Sequence, residues 1–265
     1  MKIALIDSGL GLLATAAAVH RLRPDADLVL SSDPDGMPWG PRTPEDVTEH
    51  ALACARAAAA HRPDVLIVAC NTASVHALPA LRAELEPALP VIGTVPAIKP
   101  AAAGGGPVAI WATPATTGSP YQDNLIREFA AGVEVTPVAC PGLADAVQYA
   151  DDAAIDEAVA VAAERTPRDV TTVVLGCTHY ELVTDRIRTA VQQPGAPSLV
   201  LLGSAGAVAA QALRRIGVDP LPTDRPAPAR GALTVLLSGR EEELPHEALA
   251  YPEGTVLAPA GAVRG

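Results

Sequence analysis

Aromatic side chains make up only 3% of the 265 residues, with a single phenylalanine. The apolar share of 49% therefore has to come mainly from alanine, valine, leucine and isoleucine, the make-up of an alanine-rich α/β protein. The length suits one large domain or two medium ones, each with its own core. Lysine is almost missing, since every basic residue except Lys2 and Lys99 is arginine. An enzyme that holds pyridoxal phosphate as a Schiff base needs a lysine in its pocket. Lys2, at the mouth of the first strand-like run, and Lys99, in a Pro/Ala-rich connection, are poor candidates, so that cofactor is not expected. No apolar run approaches the roughly 18 uninterrupted residues of a membrane span. Met1–Asp7 runs straight into a strand-like segment with no signal-peptide pattern, so a soluble, cytoplasmic protein with no membrane partner is expected. The formal charge of −11 argues against a nucleic-acid partner, which usually meets a basic face.

The four cysteines form no CxxC, and no Cys/His pair has zinc-site spacing, so no metal site is expected. Cys54, within an apolar helix-like stripe, reads as core. Cys140, at the end of a strand-like run before Pro141-Gly142, reads as packing. The other two stand in segments that rhyme: Val65-Leu66-Ile67-Val68-Ala69-Cys70-Asn71-Thr72 and Thr172-Val173-Val174-Leu175-Gly176-Cys177-Thr178-His179. Each is an apolar run, a small residue, a cysteine and a polar residue, the texture of a buried parallel strand whose C-terminal end presents chemistry.

Strand-like and helix-like runs alternate along the chain. They run through Lys2–Ile6, Leu13–Arg21, Asp27–Leu30, Pro44–Ala60, Val65–Ala69, Val75–Leu85 and Pro90–Ile92. A Pro/Ala/Gly connection, Pro100–Pro107, follows. The order then restarts with Val108–Trp111, a helix over 120–130, Glu134–Val138, a helix over 152–164, Thr172–Leu175, Asp185–Val191 and Leu199–Leu202. This alternation predicts an α/β fold with parallel sheets flanked by helices. The restart predicts two pseudo-symmetric domains with the active site in the cleft between them. The first domain takes residues 1–97 plus about 206–265, and the second takes 98–205. After a helix over 204–216 and a Pro-rich stretch from Pro220 to Pro228, a late strand at Leu233–Leu237 is expected to return to the first domain. The tail from Arg240 carries no readable chemistry.

Two cysteines at equivalent strand ends suit a reaction with two opposed proton-transfer faces. A thiol titrates near ~8.5, so a modest local push makes it a thiolate, which removes a proton while an opposed thiol returns one. Acting on one carbon from both sides, the pair inverts its configuration, with no cofactor or metal. Asp7-Ser8-Gly9 places a carboxylate and a hydroxyl beside Cys70. Asn71, Thr72 and Thr178 are suitable clamps for a carboxylate and an ammonium. His179, two residues past Cys177, is placed to shuttle a proton to it. The remaining histidines, including His50, receive no role.

Asp7-Ser8-Gly9-Leu10-Gly11, Pro38-Trp39-Gly40, Ala69-Cys70-Asn71-Thr72-Ala73-Ser74 and Gly176-Cys177-Thr178-His179-Tyr180 resemble the glutamate racemases of the cofactor-independent Asp/Glu racemase superfamily. Val95-Pro96-Ala97-Ile98 and Val138-Ala139-Cys140-Pro141 match in place and order, and the resemblance runs from about residue 1 to 205. It implies interconversion of L- and D-glutamate for peptidoglycan, a small acidic amino-acid substrate and, as one assembly, a homodimer. It also implies that Cys70 takes the proton from the D-enantiomer and Cys177 from the L-enantiomer, assisted by Asp7 and His179. Ser8, Pro38, Trp39, Gly40, Asn71, Thr72 and Thr178 would hold the substrate, with Thr113 and Thr116 at a carboxylate end. Three departures stand out: Trp39 where the family usually has tyrosine, Gly11-Leu12 where it has Gly-Gly, and Gln148 where a glutamate is common.

Three rival readings remain at this level. Gly9-Leu10-Gly11-Leu12-Leu13-Ala14 fits the dinucleotide fingerprint, although Asp7 would set an anion against a pyrophosphate. A related racemase, lyase or decarboxylase of the same superfamily could act on another acidic substrate; a lyase or decarboxylase can work with one cysteine, so the presence of both Cys70 and Cys177 counts against those two. A non-catalytic binder could keep the cleft; some glutamate racemases are also said to inhibit a DNA topoisomerase through protein contact.

Overall fold

The computed structural model describes residues 1–222 and 229–258, so positions 223–228 of the Pro-rich stretch lie outside the described residues. They divide into two compact units: Met1–Thr94 with the chain from Ala205 onward, and Val95–Ser204.

In the first unit the order is β1 (Lys2–Asp7), α1 (Leu12–Leu22), β2 (Asp27–Ser32), α2 (Pro44–Ala59), β3 (Val65–Val68), α3 (Asn71–His76), α4 (Leu78–Leu85) and β4 (Val91–Gly93). The second unit follows with α5 (Ile98–Ala103), β5 (Val108–Ala112), α6 (Pro120–Phe129), β6 (Val135–Ala139), α7 (Leu143–Gln148), α8 (Asp152–Glu164) and β7 (Thr172–Leu175). A 3-10 segment (Thr178–Val183), α9 (Thr184–Val191) and β8 (Val200–Leu202) complete it. The chain then returns to the first unit through α10 (Ala205–Arg215), β9 (Leu233–Leu237), β10 (Arg240–Glu242), a 3-10 turn (His246–Ala250) and α11 (Pro252–Leu257).

The first sheet runs β10-β9-β2-β1-β3-β4 and the second β6-β5-β7-β8. All pairings are parallel, as expected, with one antiparallel pair, β9–β10, at the edge of the first sheet. The neighbours β2-β1-β3-β4 repeat as β6-β5-β7-β8, so the restart read in the sequence is a repeat of topology. In each half the first strand has its successor on one side and the third strand on the other. Such a switch point opens a crevice at the carboxyl ends of the strands.

Burial on both faces holds β1 in the middle of its sheet. Ala4 and Ile6 pack with Val47, Ala51 and Ala55 of α2 and with Leu81 of α4, while Ile3 and Leu5 point the opposite way and are equally buried. Taking each Ile or Leu out of water is worth roughly 1.5–3 kcal/mol, so the four-residue runs VLIV of β3 and TVVL of β7 need no alternation to form strands. Helix α2 starts where Pro44 follows Thr43, whose hydroxyl accepts the Asp46 N–H at 3.3 Å. The same Ser/Thr-Pro device opens α6 at Ser119-Pro120.

Several expected elements differ from those observed. The single run expected over Val75–Leu85 is two helices broken at Ala77, because Pro79 has no N–H to bond Val75 and its ring would crowd that turn. The Pro/Ala/Gly connection holds helix α5, with Pro100 tolerated in its first turn and Gly105 and Gly106 at φ 66° and 96° beyond its end. Lys99 therefore sits in a helix. Helix α7 was not expected, since Pro141-Gly142 reads as a turn; Gly142, at φ 74°, is the turn that launches it. The late strand does return, pairing parallel to β2, and the tail packs α11 against α1.

Candidate active site

In the first unit, three adjacent strand ends carry polar residues, two of them expected (Asp7 and Cys70) and one not (Asp33). Asp7 ends β1, Asp33 follows β2, and Cys70 follows β3 by two residues. Backbone bonds bind these ends together, with Asp33 N–H donating to Ser8 O at 3.2 Å and Ala69 N–H to Ile6 O at 2.8 Å. The Asp7 carboxylate accepts the Ser8 hydroxyl at 3.1 Å and the Gly9 N–H at 3.3 Å. Asp7, Ser8, Cys70 and Asn71 are all buried and Thr72 is half-buried.

Pro38, Trp39 and Gly40 lie in the loop after β2, with Pro38 exposed and Gly40 half-buried. Trp39 is 1% exposed and sits in the core beneath α2, its indole N–H donating to Asp33 at 3.1 Å. The indole donor of Trp39 thus points into the core, so the side chain expected to meet substrate is buried against Asp33 instead. Asp33 also accepts from Ser238 at 2.9 Å and lies 2.7 Å from His50 Nδ1. Neither Asp33, His50 nor Ser238 was singled out by sequence. Asp33 stands in a turn-like Ser-Asp-Pro-Asp-Gly stretch, and its partners are remote along the chain.

In the second unit, Thr113 follows β5 and Cys177 follows its neighbour β7. Gly176 makes that approach possible: a Cβ there would meet the Trp111 carbonyl oxygen at 2.8 Å and the Ala112 Cβ at 3.2 Å. Cys177 is half-buried, Thr178 and His179 are buried, and the Sγ of Cys177 lies 3.9 Å from His179 Nδ1. On the other side of the ring, His179 Nε2–H donates to Gln148 Oε1 at 3.1 Å. That bond leaves the Nδ1 lone pair facing the thiol, and burial pushes the imidazole down to about 4, so it is neutral near pH 7. The hydroxyls of Thr113 and Thr116 are 3.2 Å apart, and the Gly118 N–H of the same loop donates to buried Gln122 at 2.8 Å. Gln122 is a further brace that sequence reading missed.

The two cysteines have matching backbone conformations, φ −134°, ψ 124° at Cys70 and φ −136°, ψ 137° at Cys177, and each opens a helical segment. The other two thiols are different. Cys54 in α2 and Cys140 after β6 are both buried, and burial pushes each up to about 12. Among the described residues no group of three or more His, Cys, Asp or Glu could hold a metal ion, and no helix is long and apolar enough to cross a membrane.

Two units of repeated strand order, each with a cysteine past the third strand of its repeat, define an α/β protein with parallel sheets flanked by helices. The family model for Asp/Glu/Hydantoin racemase matches residues 11–215, and the chain belongs to that family. It is 39% identical over 194 residues to a glutamate racemase of Roseiflexus sp. strain RS-1, covering 70% of each chain. It is 31% identical over 242 residues to that of Herpetosiphon aurantiacus, covering 89% of this chain and 92% of the other. The crystal structure of the Escherichia coli glutamate racemase with L-glutamate and the activator UDP-MurNAc-Ala superposes with a TM-score of 0.75 at 28% identity, covering 94% and 91% of the two chains.

Proposed function

We propose that this protein interconverts L- and D-glutamate without a cofactor, with Cys70 and Cys177 acting on the α-carbon from opposite faces. The observation that carries the reading is the matched pair. Each four-strand repeat delivers one cysteine, in one backbone conformation, past its third strand at the switch point. The named glutamate racemases support the choice of substrate. The reading places the work in the cytoplasm, supplying D-glutamate for peptidoglycan. A homodimer is the assembly it extends to, and sedimentation tests that.

In this reading a thiolate removes the α-proton from one face and the opposed thiol protonates the other. Cys70 takes the proton of D-glutamate, with Asp7 beside it. Cys177 takes that of L-glutamate, with His179 Nδ1 as its acceptor. Gln148 carries no charge to stabilise an imidazolium, so His179 relays the proton rather than keeping it. Ser8, Asn71, Thr72, Thr178 and the backbone of Pro38–Gly40 grip the substrate, with Thr113 and Thr116 at a carboxylate. Aligned donors are what a carbon this weakly acidic needs.

The test is α-proton exchange in deuterated solvent, followed by NMR on L- and then D-glutamate with no added cofactor. Exchange of both enantiomers, with each appearing from the other, is expected. No exchange of either would overturn the reading, and aspartate and other acidic amino acids would be screened next.

A further inference from the structure

Outside the groups given a role in proton transfer, a dense polar cluster is centred on Asp33. This carboxylate is 6% exposed and accepts on both oxygens: Oδ1 from Gly36 N–H at 3.2 Å and Ser238 Oγ–H at 2.9 Å, Oδ2 from Trp39 Nε1–H at 3.1 Å with His50 Nδ1 at 2.7 Å. Two oxygens receiving four donors are close to their full capacity. The donors come from three places: the loop itself, helix α2 and the turn after β9.

The loop is wound around this carboxylate. The Asp33 carbonyl accepts from Gly36 and Met37 N–H at 3.1 and 3.0 Å, and the Trp39 carbonyl accepts from Arg42 N–H at 3.2 Å. Arg42 then reaches back to Gly36 O at 2.7 Å and across to Asp46 at 2.6 Å, and Asp46 stands 3.5 Å from the far nitrogen of His50. Gly36 shows how closely the parts are fitted. A Cβ there would fall 2.0 Å from Asp33 Oδ2 and 2.5 Å from the His50 ring. The chain has to have no side chain at 36 for the Asp33–His50 pair to form.

We propose that Asp33 is a positioning residue for the reaction: its carboxylate, clamped by His50 and Ser238, holds Trp39 and so fixes the Pro38–Gly40 backbone beside Ser8 for the substrate. Asp33 touches no substrate in this scheme. It acts through the loop, and Trp39 is the lever, because its indole is anchored while Pro38 and Gly40 on either side are not buried. The return of the chain as β9 thereby acquires a part in the site, since Ser238 arrives beside Asp33 only because β9 pairs with β2. The proposal rests on the reading that Ser8 and Pro38–Gly40 hold the substrate.

The experiment compares Asp33→Asn, Gly36→Ala, His50→Gln and Ser238→Ala with the parent enzyme. Steady-state kinetics is measured in both directions alongside backbone amide exchange over residues 35–40 and thermal midpoints. Trp39 emission is followed with Trp111 replaced by phenylalanine, which leaves one tryptophan. Asp33→Asn and Gly36→Ala are expected to raise KM about tenfold while kcat stays within about threefold, the pattern of lost ground-state positioning. Both should speed amide exchange of the loop and shift Trp39 emission to the red. His50→Gln and Ser238→Ala should move KM in the same direction by less, and they carry the test if the buried substitutions do not fold. Adding His50→Gln to Asp33→Asn should bring less than the product of the two effects, because both break one network.

A fall in thermal midpoint with KM and loop exchange unchanged would make the cluster merely structural and overturn the proposal. A fall in kcat as large as that in kcat/KM would overturn it as well. If the parent enzyme racemises no acidic amino acid, the proposed function fails on its own. Loop exchange and Trp39 emission then decide alone, with faster exchange at an unchanged midpoint supporting Asp33 and no change overturning it.

Discussion

His179 Nε2–H points at Gln148 Oε1 across 3.1 Å, and this one bond decides what the imidazole offers Cys177. With the proton on Nε2, the other nitrogen faces the thiol as an acceptor, 3.9 Å away. A neutral partner combined with complete burial keeps the ring uncharged.

That burial makes a prediction about pH. The folded-state value of about 4 lies below the unfolded value of 6.5, so between these the unfolded chain binds the extra proton. Stability contributed by neutral His179 is fully present above pH 6.5 and is lost as pH falls towards 4. Between pH 6.5 and 5 this one group should cost about 1.5 kcal/mol, the slope approaching about 1.36 kcal/mol per unit once the unfolded imidazole is fully protonated. Denaturant titrations at the two pH values should show that slope, and His179→Asn should flatten it.

Gln148→Glu puts a carboxylate where the neutral amide is. An opposite charge in contact favours the imidazolium, so the His179 value should rise and the acid limb of the pH–rate profile should move to higher pH. Nitrogen NMR of labelled histidine follows the ring directly. An unmoved limb and an unmoved ring signal would remove Gln148 from any part in setting the state of His179.

Single-cysteine variants separate the two faces. In Cys70→Ala the remaining thiol can take the proton from L-glutamate and return it to the same face. Solvent deuterium should then enter L-glutamate alone while racemisation falls by about 10³-fold, within the range of general acid–base catalysis. Cys177→Ala should give the mirror result with D-glutamate. Equal exchange of both enantiomers in either variant would contradict the assignment of faces.

Thiol labelling should follow exposure and burial. Cys177 is half-buried and the other three cysteines are buried. Two of those, Cys54 and Cys140, also have thiols pushed up to about 12. Iodoacetamide at pH 7.5 should modify Cys177 first and leave Cys54 and Cys140 intact until unfolding. Peptide mass spectrometry over a time course measures the order.

Gly176→Ala tests the close approach beside Cys177. A methyl group 2.8 Å from the Trp111 carbonyl oxygen has to push the strand ends apart. Overpacking of this kind costs typically 1–3 kcal/mol. Stability and turnover should both fall, since the displaced backbone is the one that holds Cys177. A variant with full activity and an unchanged midpoint would show that the strand end yields freely.

The amino-acid sequence by itself determined the elements that a local apolar pattern can encode. Helix α8 and strands β7 and β9 have the bounds read from their residues alone, because burial in a parallel sheet and an amphipathic helix both leave continuous signals. The strand-end cysteines were legible for the same reason, each being the first polar position past an uninterrupted apolar run. Helices α5 and α7 were not. Proline and glycine in their first turns or just before them read as breaks, and six-residue helices carry too little periodicity to answer. Only the tertiary structure decided the state of Trp39 and the importance of Asp33. The carboxylate's partners stand 3, 6, 17 and 205 residues away, and no spacing rule joins such positions. They meet because β9 returns beside β2 while α2 lies against β1 and β2, and long-range pairing of that kind is set by packing rather than by any local pattern.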